Sequence, residues 1–127
     1  MNGADYTVTG EIHQWAKDGY LVSTDKSKID VPVVHAYLSK DSYWAEGIPE
    51  TTVKKSIENS LCFGVYCNGE QVGFARIISD FATFAYLADV FILPGHRGKG
   101  LSKWLMQIMA MLEPVRERLP CIKAKRL

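Results

Sequence analysis

DVFILPGHRGKGLSKWLM, residues 89–106, carries the most informative local signals in the sequence. It begins inside an apolar run, residues 86–93, which has no helical period and therefore predicts a buried strand. The run breaks at Pro94 and Gly95, and two more glycines follow closely. After them the apolar residues have the spacing of one helix face: Leu101, Leu105, Ile108, Met109 and Leu112. The stretch therefore predicts a strand, a glycine-rich turn and an amphipathic helix.

The glycine-rich turn has the features of an anion-binding site. The first N–H groups of a helix have no partner inside it and point outward, with the positive end of the helix dipole behind them. Gly98 and Gly100 let the backbone approach a ligand closely because they carry no Cβ. Arg97, Lys99 and Lys103 add positive charge. A phosphate or pyrophosphate fits such a turn; the alternative is a turn whose glycines and lysines serve only folding and solubility.

The turn also resembles the acyl-CoA-binding signature of the GNAT N-acetyltransferases, whose core reads Arg or Gln, two residues, Gly, one residue, then Gly or Ala. Arg97 and Gly100 match this core, and Ser102 stands at the usual Gly or Ala position. The upstream sequence LCFGVYCNGEQVGFARIISD, residues 61–80, is similar to the central hairpin of the family. The resemblance covers roughly residues 20–112 and implies that acetyl-CoA is a co-substrate.

The resemblance further implies which residues contact the coenzyme. Main-chain N–H groups of residues 96–101 would hold the pyrophosphate, and the strand edge near Phe91 and Ile92 would pair with the pantetheine arm. The cofactor-binding residues expected on this basis are Phe91, Ile92, His96, Arg97, Gly98, Lys99, Gly100, Leu101 and Ser102.

Length and composition predict one soluble, cytoplasmic domain over residues 1–127. The chain is 47% hydrophobic and 23% charged with a formal net charge of +1, so it has no overall basic excess that would indicate a nucleic-acid partner. It shows no signal peptide and no apolar run long enough to span a membrane. Its three cysteines lack metal-ligand spacing; we interpret them as reduced thiols, with Cys62 and Cys67 on opposite faces of a strand, and expect no metal site.

Turn and capping residues divide the remaining sequence into elements. Residues 20–24 predict a first strand, Asp30 the N-cap of a first helix, and Pro49 the start of a second. Asn68 and Gly69 predict a hairpin turn between strands at 61–67 and 71–79. The resulting order, β-α-α-β-β-β-α, predicts an α+β fold with a mixed, mostly antiparallel central sheet and flanking helices, as in the resembled family.

The two ends of the chain are less defined. Residues 1–18 predict either a short strand or a loose segment. Residues 121–125 predict a last strand, parallel to the fourth strand, which contains the apolar run 86–93, and beside it. In the resembled family a further helix and strand follow, and a tyrosine on that helix often protonates the leaving thiolate. The atypical segment 113–127 has no room for them, and no tyrosine follows Tyr86. The open sheet edge would permit a homodimer.

Acetyl transfer from a thioester to an amine needs a neutral amine and a polarised carbonyl. Main-chain N–H groups near Phe91 and Ile92 would polarise the carbonyl. Asp89 is the first candidate for the catalytic base, because the resembled family often places an acid near this point of the strand, and Asp80 is the second. The alternatives are an ion pair or cap for Asp89 and an ordinary turn role for Asp80.

Aromatic residues in a loop above a sheet suit an apolar or flat substrate. The candidate substrate-binding residues are Tyr43, Trp44, Arg76 and Phe84, with Arg76 pairing either with a substrate carboxylate or with an internal acid. The acceptor would be a primary amine, on a small molecule or a peptide.

Two hypotheses for the function stay open. The first is an acetyl-CoA-dependent N-acetyltransferase, and the second is a catalytically weak or inactive acyl-CoA-binding module that has lost the C-terminal elements. Both need the glycine-rich turn to bind the coenzyme, and only the first predicts turnover with an amine.

Overall fold

Six strands of the described residues form one sheet. The computed structural model describes residues 12–111 and 123–124. The strands are β1 Gln14–Lys17, β2 Tyr20–Ser23, β3 Leu61–Cys67, β4 Glu70–Ser79, β5 Ala85–Ile92 and β6 Lys123–Ala124. They lie side by side in sequence order, antiparallel except for the parallel pair β5 and β6. The predicted mixed, mostly antiparallel sheet is confirmed.

Three helices among the described residues flank the sheet. They are α1 Val31–Ala36, which continues as a π-helical turn over Tyr37–Asp41, α2 Glu50–Glu58, and α3 Leu101–Met111. The side chain of Asp30 caps α1 by accepting the Val33 N–H at 3.2 Å, and Pro49 precedes α2. Both predicted helix starts are therefore confirmed.

Two tight turns with the same chemistry define one end of the sheet. Asn68 and Gly69 join β3 to β4 with φ values of 53° and 82°, which is the left-handed pair of a type I′ hairpin. Asp18 and Gly19 join β1 to β2 with φ values of 51° and 84°. The segment 1–18, which predicts either a short strand or a loose segment, therefore contains strand β1. Asp18 and Gly19 are its local signal, because Asp-Gly favours the same hairpin turn as Asn-Gly.

The sheet separates two apolar layers. On one face Phe63 and Val65 pack with Leu105 and Ile108 of α3. On the other face Cys62 packs with residues of α1 and α2, while Cys67 lies against the α3 layer. Alternate residues of β3 thus serve opposite faces, as predicted for the two cysteines, and both thiols are free.

Strand β5 is irregular at its centre. Phe74 pairs with Phe91 and Arg76 pairs with Ala88, so one residue of β4 faces the two β5 residues Asp89 and Val90. This is a β-bulge, and its first residue, Asp89, has a φ of 55°. Strand β6 pairs with β5 only at residues 86 and 87. Within the described part of the chain, the β5 edge beyond that pair has no neighbouring strand.

Several expectations fall on residues that the structure does not describe. They concern residues 1–11 and most of the segment 113–127, including a dimer contact through its sheet edge. Lys123 and Ala124 of this segment do form the last strand, parallel to β5 and beside it as predicted.

Gly64 is required by its neighbour Tyr66. A Cβ on residue 64 would lie 2.5 Å from Cζ and 2.8 Å from Cε1 of Tyr66, whose buried hydroxyl has no hydrogen-bond partner in the described structure. We expect Gly64→Ala to lower the free energy of unfolding by about 1–3 kcal/mol, because the ring must shift in a packed layer. Urea denaturation measures this. Gly95→Ala is the control, since its Cβ would meet nothing within 4 Å; equal stability of the two variants would contradict the clash.

Candidate functional site

The turn between β5 and α3 has the backbone that its glycines predict. After a 3-10 turn at Pro94–His96, Gly98 and Gly100 have φ values of 80° and 76°, in the left-handed region that favours glycine. A Cβ on either residue would meet nothing within 4 Å. The glycines are therefore needed for backbone conformation, and the space above them is open.

The same turn leads into the first turn of α3, whose N–H groups have no partner inside the helix. The Trp104 N–H donates to the Gly100 carbonyl at 3.0 Å and begins the helical ladder. The N–H groups of residues 101–103 precede that bond and lie at the positive end of the helix dipole. Such an arrangement is suited to an anion, so anion binding at the turn stays a prediction.

Two adjoining cavities lie along the turn and the end of β5. The first, here called the loop cavity, measures about 300 Å³ and is lined by Ile92, His96, Arg97, Gly98, Gly100, Leu101, Ser102 and Lys103. The second, here called the strand-edge cavity, measures about 240 Å³ and is lined by Tyr37, Tyr43, Trp44, Val90, Phe91, Ile92, Arg97 and Ser102. Three shared residues connect them, so together they form one groove from the turn to the β5 bulge.

Eight of the nine predicted cofactor-binding residues line this groove. Lys99 does not; it lines a neighbouring cavity of about 510 Å³ together with Lys17 and Lys103. The side chains of Phe91, Ile92 and Leu101 are buried in the core, so these three residues can offer a ligand mainly their backbone. That agrees with the expected pairing of a ligand with the strand edge.

Arg97 braces the turn instead of pointing freely into solvent. Its Nε donates to the Ile92 carbonyl at 2.8 Å, and Nη2 donates to the Tyr37 hydroxyl at 3.0 Å. The Tyr37 ring in turn stacks on Phe91 with centroids 4.0 Å apart. Sequence reasoning missed this use of Tyr37, because nothing local links residues 60 positions apart.

His96 faces the β1–β2 hairpin. Its Nδ1 and the Tyr20 hydroxyl are 2.8 Å apart and share a hydrogen bond, with the two rings edge to face. The hairpin therefore supports the turn from the side opposite to Tyr37. Tyr20 lies in β2, which pairs with β3 as well as with β1, so this contact joins the turn to the sheet across 76 residues.

Asp89 lies at the centre of a buried polar cluster. Its Oδ2 accepts from Nε and Nη2 of Arg76 at 2.9 and 2.8 Å, and its Oδ1 accepts the Trp44 indole N–H at 2.8 Å. Nη1 of Arg76 also donates to the Ser60 hydroxyl at 3.1 Å. Of the alternatives considered for Asp89 and Arg76, the structure shows the ion pair with an internal partner.

Asp80, the second candidate base, is exposed and caps the β4–β5 turn. Its carboxylate accepts the main-chain N–H groups of Ala82, Thr83 and Phe84 and the Thr83 hydroxyl. It lines neither cavity of the groove. The turn role is the one that this geometry supports, so Asp80 is not carried into the functional proposal.

The Asp80 turn should loosen in acid. The Thr83 hydroxyl, followed by the main-chain N–H groups of Thr83 and Ala82, holds the pKa of Asp80 well below its ordinary value of 3.8. A lowered pKa means that the contact stabilises the fold above that ordinary value and is lost as the pH falls through the folded-state pKa. Because the Thr83 amide resonance reports the folded state, we expect it to be nearly unchanged at about pH 4 and to move only when the pH falls well below that value. In Asp80→Asn that movement should disappear; if it persists, another group causes it.

Phe84 is separate from the other predicted substrate residues. It is 41% exposed and stacks on Tyr86, and it lines neither cavity, whereas Tyr43 and Trp44 both line the strand-edge cavity. The expectation that Phe84 joins them is not supported by the geometry. No group of three or more potential metal ligands occurs among the described residues, and none of their helices has the length and apolar character needed to cross a membrane.

Comparison with known proteins gives one consistent answer. Residues 31–116 match the model of the family described as Acetyltransferase (GNAT) family. A candidate acetyltransferase of Gibberella zeae is 39% identical over 114 residues, covering 75% of this chain and 64% of that protein. This chain thus spans less than two thirds of the length of that relative.

Solved structures share the fold. A candidate GNAT acetyltransferase from Xanthomonas campestris pv. campestris is 44% identical, with a TM-score of 0.74 over 90% of this chain and 72% of that one. The Salmonella typhimurium acetyltransferase that modifies the N-terminal serine of ribosomal protein L7/L12 is 18% identical, with a TM-score of 0.55 over 88% and 71% of the two chains. The predicted GNAT-like fold is confirmed, and with the family matched across most of its length this chain belongs to the GNAT family of acetyltransferases.

Proposed function

We propose that this protein moves an acetyl group from acetyl-CoA to a primary amine on a small molecule or peptide. The observation that carries the proposal is the continuous groove, which joins the glycine-rich turn to an edge of β5 that has no neighbouring strand among the described residues beyond Leu87. Acetyl-CoA has the matching order of parts: a pyrophosphate, then an amide-containing arm, then the thioester. Cytoplasmic action is part of the proposal, because the free thiols of Cys62 and Cys67 suit a reducing compartment.

The coenzyme would occupy the groove from one end to the other. Its pyrophosphate would accept the N–H groups of the glycine-rich turn in the loop cavity, with Lys103 nearby. The amides of its pantetheine arm would pair with the free edge of β5, as an added strand does. The thioester would then lie in the strand-edge cavity, close to the bulge.

The chain's main-chain groups would supply the polarisation that acyl transfer needs. As the amine nitrogen bonds to the thioester carbon, negative charge develops on the carbonyl oxygen, and N–H groups freed from the ladder at the bulge can stabilise it. The C–S bond then breaks, and the thiolate takes a proton from water. Among the described residues that line the strand-edge cavity there is no carboxylate or imidazole, so the proton of the amine would also pass to water.

Two measurements test the proposal. Isothermal titration with acetyl-CoA examines binding, and thiol release in the presence of a panel of primary amines, including amino acids, polyamines, arylamines and peptides, examines turnover. We expect both binding and amine-dependent thiol release. Binding without release on any amine would contradict the transferase function and leave a coenzyme-binding module, whereas absence of binding would contradict the use of the groove.

A further inference from the structure

The β5 bulge adopts a backbone conformation that needs support. Asp89, its first residue, has a φ of 55°, a region that disfavours side chains by about 1–2 kcal/mol although Asp tolerates it better than most residues. A glycine would adopt the same conformation without this cost. The presence of Asp therefore indicates that its side chain contributes something that glycine cannot.

The Asp89 carboxylate uses both of its oxygens within the protein. Oδ2 receives two N–H groups of Arg76, and Oδ1 receives the indole N–H of Trp44. The Asp89 side chain is 10% exposed and that of Arg76 is 14% exposed. Three of the about four acceptor positions of the carboxylate are therefore occupied by donors of the protein, and its charge is paired with Arg76.

Trp44 belongs to a loop that also forms hydrogen bonds to the α1 side of the molecule. In the loop, residues 42–49, the Ser42 hydroxyl donates to the Leu38 carbonyl at 2.6 Å and the Gly47 N–H donates to the Ser39 carbonyl at 3.0 Å. The His35 Nε2 also lies 3.0 Å from the Ile48 carbonyl. The indole of Trp44 extends from this loop to β5, where it meets Asp89.

The position of Trp44 also affects its exposed neighbour. The Tyr43 ring stands edge-on to the Trp44 ring with centroids 5.5 Å apart, and Tyr43 is 74% exposed. Both rings line the strand-edge cavity. The Trp44–Asp89 hydrogen bond therefore connects Trp44, on one side of that cavity, to the β5 bulge, whose residue Val90 also lines the cavity.

We propose that Arg76, Asp89 and Trp44 form a positioning cluster that holds the aromatic 42–49 loop against the β5 bulge and so sets where the amine meets the thioester. Arg76 orients the Asp89 carboxylate through the ion pair, and Asp89 maintains the bulge. Trp44 attaches the 42–49 loop to Asp89 through the indole hydrogen bond. Asp89 is then a positioning residue and not the base. This inference rests on the proposed function only for its kinetic consequences, since the attachment of the loop is a property of the chain alone.

Trp44→Phe tests the cluster with little other change, because it keeps an aromatic ring and removes the indole N–H. Trp15→Phe, in β1, is the matched control. Hydrogen exchange followed by mass spectrometry compares the 42–49 loop in the two variants. We expect exchange in the loop to be about tenfold faster in Trp44→Phe, the scale of losing a hydrogen bond to a charged group, and unchanged in Trp15→Phe.

Steady-state kinetics with acetyl-CoA and the most active amine of the panel separates positioning from base catalysis. With an amine, we expect Trp44→Phe and Asp89→Asn each to raise the KM for the amine about tenfold while the KM for acetyl-CoA and the shape of the pH profile stay the same. Both variants act on the same cluster, because Trp44→Phe removes the donor of the indole hydrogen bond and Asp89→Asn replaces its charged acceptor by a neutral amide and removes the ion pair with Arg76. The double variant should therefore be no worse than the poorer single one. If no amine reacts, hydrogen exchange alone decides the inference, and exchange in the 42–49 loop should still rise in Trp44→Phe.

Two results would overturn the inference. If loop exchange in Trp44→Phe equals that in the control, the hydrogen bond does not hold the loop. If Asp89→Asn lowers kcat/KM by more than about a hundredfold and removes the acid limb of the pH profile while Trp44→Phe is nearly normal, Asp89 is a base. Either result leaves the coenzyme titration unaffected, so failure of this inference is distinct from failure of the proposed function.

Discussion

Gly100→Val should weaken acetyl-CoA binding by at least about a hundredfold. Gly100 has a φ of 76°, which a β-branched residue adopts only with strain, so the turn would shift and withdraw main-chain N–H groups from the pyrophosphate. Hydrogen bonds to a charged group contribute about 1.5–3 kcal/mol each, and the loss of two gives a change of this size. Isothermal titration with acetyl-CoA measures it.

Gly47→Val is the matched control for this prediction. Gly47 also has a φ of 76°, and a Cβ there also meets nothing within 4 Å, but Gly47 lines neither cavity of the groove. It should therefore suffer comparable backbone strain and a comparable loss of stability while keeping most of its affinity for acetyl-CoA. Equal loss of affinity in both variants would show that general destabilisation, and not the turn, is responsible.

Arg76→Met should lower the free energy of unfolding by about 3–5 kcal/mol, because it leaves the Asp89 carboxylate buried without its cationic partner. Methionine keeps most of the length of the arginine side chain, so packing contributes little to the loss. Urea denaturation followed by tryptophan fluorescence measures the change, with an unaltered m value indicating that the same structure unfolds.

The double variant Arg76→Met/Asp89→Asn distinguishes the unpaired charge from lost packing. Asn tolerates the left-handed backbone of residue 89 and can still accept the Trp44 indole N–H, but it carries no charge. We expect the double variant to recover at least half of the free energy of unfolding that Arg76→Met loses. A double variant as unstable as the single one would mean that the guanidinium stabilises the fold through contacts other than the ion pair.

Local signals in the sequence predicted most of the fold. Each of these signals acts over a few neighbouring residues. The hairpin turn follows from Asn68 and Gly69, and the two helix starts follow from Asp30 and Pro49. The strand–turn–helix unit follows from the apolar run that leads into Gly98. The sequence does not decide whether β1 is a strand, although Asp18 and Gly19 carry the same hairpin signal. The reason is that β1 is short and polar and shows only weak apolar alternation.

The candidate site was less predictable because its contacts join distant positions. Trp44 meets Asp89 across 45 residues, Arg97 meets Tyr37 across 60, and Tyr20 meets His96 across 76. No local rule reports such pairs. The turn could be identified by its glycines, but whether Asp89 is a base or an ion-pair partner depended on a bulge that brings Arg76 and Trp44 to the same carboxylate.

The bracing of the turn by Arg97 has a thermodynamic consequence. Arg97 Nε donates to the Ile92 carbonyl and Nη2 donates to the Tyr37 hydroxyl, so the glycine-rich turn is already ordered without a ligand. A ligand that binds there therefore loses little affinity to the entropy of ordering the turn. Association of the coenzyme should then proceed at nearly the same rate whether or not the loop is further rigidified, for example by proline substitution nearby.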